Sequence, residues 1–200
     1  MKKFDADQIP EMAEILRNNG VLSVPTDTVY GLCARFDTIE AQEHLRDIKK
    51  RPKDKAFPIM CCDAGQIRQI AFTDGVSEKI ICAFMPGPVT LILKKRPEIP
   101  GHVNGDMDTV AVRMASSKAL EELIRELGCP VFMTSANLSG EKTCETLDEI
   151  EAACPGLDGM MKGNTQFNEA STIIDLSADE IRIVRSGPVK MEDLEHVLQN

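Results

Sequence analysis

Short apolar runs alternate with segments of helical apolar spacing along nearly the whole chain, and that alternation limits what it can fold into. A helix is expected from about Ala6 to Asn19, with Ile9, Met12, Ala13, Ile15 and Leu16 on one side and Gly20 as the stop. A strand at Val21 to Val24 follows, then a helix from Asp37 or Thr38 to Lys50, ended by Pro52. The pattern continues with a strand at Phe57 to Cys61, helices at Gly65 to Ala71 and Ser77 to Phe84, and strands at Val89 to Lys94 and Thr109 to Met114. Next come a helix at Lys118 to Leu127 closed by Gly128, a strand at Val131 to Thr134 and a helix at Leu147 to Ala153. Strands at Ser171 to Asp175 and Ile181 to Arg185 and a last helix at Glu192 to Leu198 complete the set. Elements in this order build layers, so the expected fold is α/β, a twisted, mixed, open sheet flanked by helices.

No internal repeat, low-complexity tract or Pro/Ser linker divides the 200 residues, and one domain over 1–200 is expected. With 42% apolar residues, such a chain can bury roughly 70% of its unfolded surface. Its apolar stretches fall far short of the ~20 residues that cross a bilayer. The start, MKKFDADQIPEM, has acids where a signal peptide needs an apolar stretch, and the end, HVLQN, is neither a prenylation box nor a retrieval signal. No membrane partner and a cytoplasmic location are expected. The seven cysteines are odd in number and nowhere spaced C-x-x-C, which supports reduced, mostly buried thiols over a disulfide framework or a zinc ribbon. His44, His102 and His196 are far apart, so no protein-bound structural metal is expected. The turn-rich Arg96 to Asp108 is too short for a domain boundary, and Gly156 to Asn168 is expected to be a mobile loop over a site.

Charge is distributed unevenly. The chain carries 23 basic and 32 acidic residues, net −9, which opposes a role in coating nucleic acid. Yet Arg46 to Lys55, RDIKKRPKDK, holds six cations and two anions, a local +4, leaving −13 for the rest. A solvated helix end would account for this, because cations favour the last turn. So would a phosphate-binding corner on an otherwise acidic body. The glycine cradles G-x-x-x-x-G-K-[ST] and G-x-G-x-x-G are absent, so a bound nucleotide would have to be held by cations such as Lys49, Arg51 and Lys55.

Four further segments place small polar residues beside strand ends, where open α/β sheets bind ligands: PTDTVYGL (Pro25 to Leu32), TVAVRM (Thr109 to Met114), TSANLSG (Thr134 to Gly140) and STIID (Ser171 to Asp175). Ser135, Asn137 and Ser139 follow the apolar run Val131 to Met133; ordinary turn chemistry would also use such residues. Arg113 shares a strand face with Ala111 and Ala115, opposite Val110 and Val112, which implies either a concave polar surface or a solvated face. Arg185 closes a strand before the turn Ser186-Gly187-Pro188. No Ser-His-Asp arrangement and no G-x-S-x-G elbow is present, so the implied chemistry is electrostatic.

Taken in order, PTDTVYGL, KKRPKDKAFPIM, PGPVTLIL, TVAVRM, TSANLSG, STIID and VRSGP resemble the YrdC-like threonylcarbamoyl-adenylate synthases over nearly the whole chain, in the short form without a further C-terminal domain. The family's K-x-R matches Lys49 and Arg51, and its S-x-N matches Ser135 and Asn137. The resemblance implies a deep basic cavity in which ATP, L-threonine and bicarbonate give threonylcarbamoyl-AMP and pyrophosphate, with Mg²⁺ accompanying the ATP. Downstream transfer proteins would then pass the threonylcarbamoyl group to tRNA. It also implies that Lys49, Arg51, Ser135 and Asn137 are catalytic, and that Thr28, Arg113, Asn137 and Ser171 contact threonine. Arg51, Lys55, Thr109, Ser135 and Arg185 would contact the nucleotide. Met60 stands where many synthases carry a histidine, and PIMCCD leans toward the YciO-like sister group, whose alternative role is tRNA or double-stranded RNA binding. That group generally lacks K-x-R and S-x-N, and both are intact here. A carbamoyl-adenylate reaction, as in hydrogenase maturation factors, belongs to much longer chains.

Overall fold

The computed structural model describes residues 1–199 apart from 106, 115–116, 166–168 and 179. Its strands are β1 (Lys3–Phe4), β2 (Leu22–Pro25), β3 (Tyr30–Arg35), β4 (Ile59–Met60), β5 (Val89–Lys94), β6 (Thr109–Arg113), β7 (Val131–Ser135), β8 (Gly159–Met161), β9 (Thr172–Asp175) and β10 (Arg182–Arg185). The helices are α1 (Ile9–Arg17), α2 (Ile39–Lys49), α3 (Ala64–Ile70), α4 (Gly75–Phe84), α5 (Lys118–Leu127), α6 (Leu147–Ala153) and α7 (Met191–Gln199). All ten strands join one mixed sheet in the order β1-β8-β2-β3-β7-β4-β6-β5-β9-β10. The α/β expectation holds. No helix among the described residues is long and apolar enough to cross a membrane.

Helix ends follow local chemistry. Asp74 and Ser77 form a reciprocal capping box at the start of α4, Thr146 and Glu149 form another at α6, and the Ser117 hydroxyl accepts from Leu120 N at α5. Gly128 closes α5 in the left-handed region at φ 84°, where glycine carries no Cβ penalty. Of the two expected starts of α2, Asp37 and Thr38, the structure selects Thr38. Asp37 does not cap it, because both its oxygens are taken by Arg35 Nε and Nη2 at 2.6 and 2.7 Å, and Thr38 occupies the cap position.

Alternating side chains divide the core between the two faces of the sheet. One face packs Leu22, Val24, Cys33, Met60, Val131 and Met133 against Met12 and Leu16 of α1 and Leu120, Leu123 and Ile124 of α5. The other packs Leu32, Ile59, Leu91, Val112, Phe132 and Ile174 against Leu45 of α2, Ile67 of α3, Ile80 of α4, Ile150 of α6 and Leu194 of α7. Among the described residues, β5, β6 and β9 contribute nothing to the α1/α5 cluster. On that face α1 and α5 serve one half of the sheet and leave the other half without an apolar cover.

Two expectations are corrected here. β3 falls inside and beyond the PTDTVYGL motif, where the sequence reading places polar residues beside a strand end and no strand; its residues are buried on both faces, so no polar alternation marks them as a strand. Gly156 to Asn168 is not simply a loop, because β8 lies within it and runs parallel between β1 and β2. Residues 166–168 of that stretch lie outside the described residues. Gly159 is required in β8: a Cβ there would stand 2.5 Å from Phe4 Cε2 and 3.2 Å from Leu22 Cδ2. On the opposite face, Phe132 is fully buried against Phe57 and Phe36, with ring centroids 5.8 and 6.5 Å away. Phe132→Ala is expected to cost about 3–5 kcal/mol of stability by chemical denaturation; a loss below about 1 kcal/mol would show that the core refills the space.

Candidate active site

The half-face that α1 and α5 leave open holds a cavity of about 390 Å³. Strand parity determines what reaches it. Gly31 of β3 pairs with Ser135 of β7, and Met60 of β4 pairs with Arg113 of β6, so these residues face the same way. Thr90 of β5 and Ser171 before β9 complete the floor, joined by a 2.8 Å hydrogen bond between their hydroxyls. Thr28, Arg51, Asn137 and Arg185 also line the cavity. Of the two readings of Arg113, the structure selects the concave polar surface.

Each cation is seated by oxygen atoms of the protein. Arg113 donates from Nε to Gly87 O at 3.1 Å, from Nη1 to Thr28 Oγ1 at 3.0 Å and from Nη2 to Asp27 Oδ1 at 2.5 Å. Arg185, at the rim, donates from Nε and Nη2 to Ser171 O at 3.0 and 2.8 Å and from Nη2 to Ser171 Oγ at 2.9 Å. Arg51 donates to Lys55 O and Ala56 O at 3.2 and 2.6 Å and lies over the Phe57 ring, 4.9 Å from its centroid. Burial lowers the pKa of all three guanidinium groups from the usual value; like charge adds to this, from Arg46 at Arg51 and from Arg113 at Arg185.

Lys49 and Arg51 come to the site because α2 ends at Lys49 and Lys50 turns the chain through the left-handed region at φ 49°. Lys49 lies beneath the cavity rather than in its wall. At 2% exposure, its Nζ donates to Ser135 O, Asn137 O and Asn137 Oδ1 at 2.7, 3.0 and 2.9 Å. Ser135 Oγ donates to the same Asn137 Oδ1 at 2.6 Å, while Asn137 Nδ2 donates to Leu138 O and Glu141 O. Lys49 of K-x-R and both S-x-N residues are thus one hydrogen-bonded unit, with the lysine as a pin under the 135–137 turn, while Arg51 is seated separately on its own loop.

Lys55 and Thr109 are not brought into the cavity wall. Lys55 is exposed and contributes its carbonyl, which helps to seat Arg51. Thr109 pairs with Lys94 at the opposite end of β6 from Arg113, roughly 13 Å away at the usual rise per residue. Thr26, Thr90, Met133, Glu141 and Thr143 line the cavity without having been picked out from the sequence. The acid Asp27 lies in a quoted motif, but its partner is 86 residues away and no local signal links them. The cysteines are free, and burial pushes Cys33 up to about 12 and Cys62 up to about 11, which keeps both thiols protonated and inert.

The protein is an α/β sheet with three guanidinium groups, those of Arg51, Arg113 and Arg185, around one cavity. The family model Sua5_yciO_yrdC, described as "Telomere recombination", matches residues 14–187, and the chain belongs to that family. The Bacillus subtilis threonylcarbamoyl-AMP synthase is 32% identical over 197 residues, covering 96% of this chain and 56% of the relative. The structure of Pyrococcus abyssi Sua5 (P. abyssi) complexed with L-threonine superposes with a TM-score of 0.92 at 28% identity, covering 98% of this chain and 60% of that one. Escherichia coli YciO (E. coli) superposes at 0.87 with 27% identity, covering 96% and 98%. The chain spans little more than half of the first two relatives and nearly all of the third.

Burial, and Arg51 secondarily, hold the Lys49 ammonium down to about 8 from 10.5. Below pH 8 the amine is charged whether folded or unfolded, and the cost of burying it is carried in full. Between about pH 8 and 10.5 the folded chain has released a proton that the unfolded chain keeps, so this group makes stability rise with pH across that window. The ¹³Cε NMR signal of Lys49 is expected to titrate with a midpoint near 8; a midpoint near 10.5 would place the ammonium in water.

Proposed function

We propose that the chain makes L-threonylcarbamoyl-AMP from L-threonine, bicarbonate and ATP, releasing pyrophosphate. One observation carries the reading: Arg51, Arg113 and Arg185 share a cavity of about 390 Å³ in a chain of net charge −9. The relatives' printed names and the threonine complex add support.

The threonine amine adds to the bicarbonate carbon with loss of water, giving a carbamate. A carbamate oxygen then attacks the α-phosphorus of ATP, and the β,γ-pyrophosphate leaves. Both reactants are anions, so positive charge held in place beforehand lowers the barrier to their approach and stabilises the leaving group. Arg113 would take the threonine carboxylate as a fork, with Thr28 and Ser171 beside it. Arg51 and Arg185, with the Ser135 hydroxyl, would meet the phosphates, while Lys49 and Asn137 hold the turn that presents Ser135. Magnesium would arrive on the nucleotide. No group of three or more metal-ligating side chains occurs among the described residues, and Glu141 is the one carboxylate in the described cavity wall. This fits an ion that needs one or two carboxylates and completes its shell with phosphate and water. Proteins that accept the threonylcarbamoyl group would consume the product, a reactive mixed anhydride.

Pyrophosphate release is expected only when threonine and bicarbonate accompany ATP and magnesium, with threonylcarbamoyl-AMP detected by mass spectrometry. Arg51→Ala is expected to lower kcat about 10²–10³-fold. Equal pyrophosphate release without threonine would overturn the reading.

A further inference from the structure

The proposed reaction leaves one buried charge without a task. Asp27 is 2% exposed; its Oδ1 accepts from Arg113 Nη2 at 2.5 Å, and its Oδ2 is buried with no hydrogen-bond partner among the described residues. Stability does not account for such a pair. Desolvation offsets most of the attraction between two buried charges, and apolar residues of similar volume often stabilise as well or better. The unbonded oxygen adds to the cost.

The arrangement makes more sense as preparation of Arg113. A guanidinium has five N–H groups, and here Gly87 O, Thr28 Oγ1 and Asp27 Oδ1 take one each, on Nε, Nη1 and Nη2. One N–H remains on each terminal nitrogen, free to donate to a substrate carboxylate. Arg185 is close enough to Arg113 for their like charges to interact. Without a counter-charge, Arg113 would be pushed away from its neighbour and held only by two neutral oxygens.

We infer that Asp27 is a positioning residue, locking the Arg113 guanidinium and offsetting part of its charge so that two N–H groups already point at the site of the substrate carboxylate. The inference rests on the reading of Arg113 given under the proposed function. The backbone carbonyl, the threonine hydroxyl and the aspartate approach three different nitrogens, so together they stop rotation about both the Nε–Cζ bond and the side-chain torsions. The ordering entropy of the fork is then met on folding and not on binding.

Calorimetric titration of the wild type and Asp27→Asn with L-threonine, L-threoninol and ATP tests this. Threoninol keeps the side chain and amine and lacks the carboxylate. The wild type is expected to bind threonine about tenfold or more tightly than threoninol, as charged hydrogen bonds of this kind imply. Asp27→Asn is expected to lose most of that preference while its affinity for ATP stays within about twofold. An Asn variant that folds and keeps the preference overturns the inference. A wild type with no preference for the carboxylate overturns the reading of Arg113 instead. If the Asn variant does not fold, ¹⁵N NMR of the ligand-free wild type decides: separate, slowly rotating Arg113 Nη–H signals support locking, and one averaged signal overturns it.

Discussion

Cations can be gathered in a half-buried cavity only if oxygen atoms of the protein take the place of the water they lose, and the structure depends on this exchange. Every cation at this site is met by such oxygens. Lys49 has three acceptors on two residues of one turn, Arg185 has the carbonyl and hydroxyl of Ser171, and Arg51 has the carbonyls of its own loop. Arg113, 7% exposed, has the one full counter-charge. These hydrogen bonds leave the charges oriented and only partly neutralised, which is the condition in which a fixed cation attracts an entering anion without reorganising.

The sheet supplies the space. Beside the part of their face that α1 and α5 cover, the sheet carries small or polar residues in the cavity wall, Gly31, Ser135, Arg113, Thr90 and Ser171, next to Met60 and Met133 of the covered cluster. Gly31 shows how tight the fit is, since a Cβ there would lie 2.3 Å from Met133 Sδ. The turn after β10 is close-packed as well, against backbone and not a flexible side chain, because a Cβ on Gly187 would lie 2.5 Å from both Ala170 O and Thr172 N. Close approach of that turn to the start of β9 places the Arg185 guanidinium on Ser171.

Much of this was legible from residue spacing. The helices α5 and α6 fall where caps and periodicity put them, and the alternation Val110, Ala111, Val112, Arg113 identified an arginine on a polar face. Of the ten site residues that the family resemblance implied, seven line the cavity and an eighth, Lys49, pins it from beneath. The misses have physical causes. β3 is buried on both faces, so its sequence lacks the period that marks a half-covered strand. β1 and β8 are too short for a pattern, and their pairing depends on Gly159 fitting under Phe4. Thr109, which the resemblance implied as a nucleotide contact, lies at the other end of β6 from Arg113, outside the cavity wall.

The sequence by itself determined the layered α/β class, the basic corner at the end of α2 and the face on which Arg113 stands, because spacing and local charge act between near neighbours. Only the tertiary structure decided which of these residues meet. The 86 residues between Asp27 and Arg113, and the same number between Lys49 and Ser135, are crossed by strand order and helix packing, and no local propensity encodes that distance. Whether a lysine touches a ligand or holds a turn beneath it likewise depends on how the sheet is covered, and that is settled when the whole core forms.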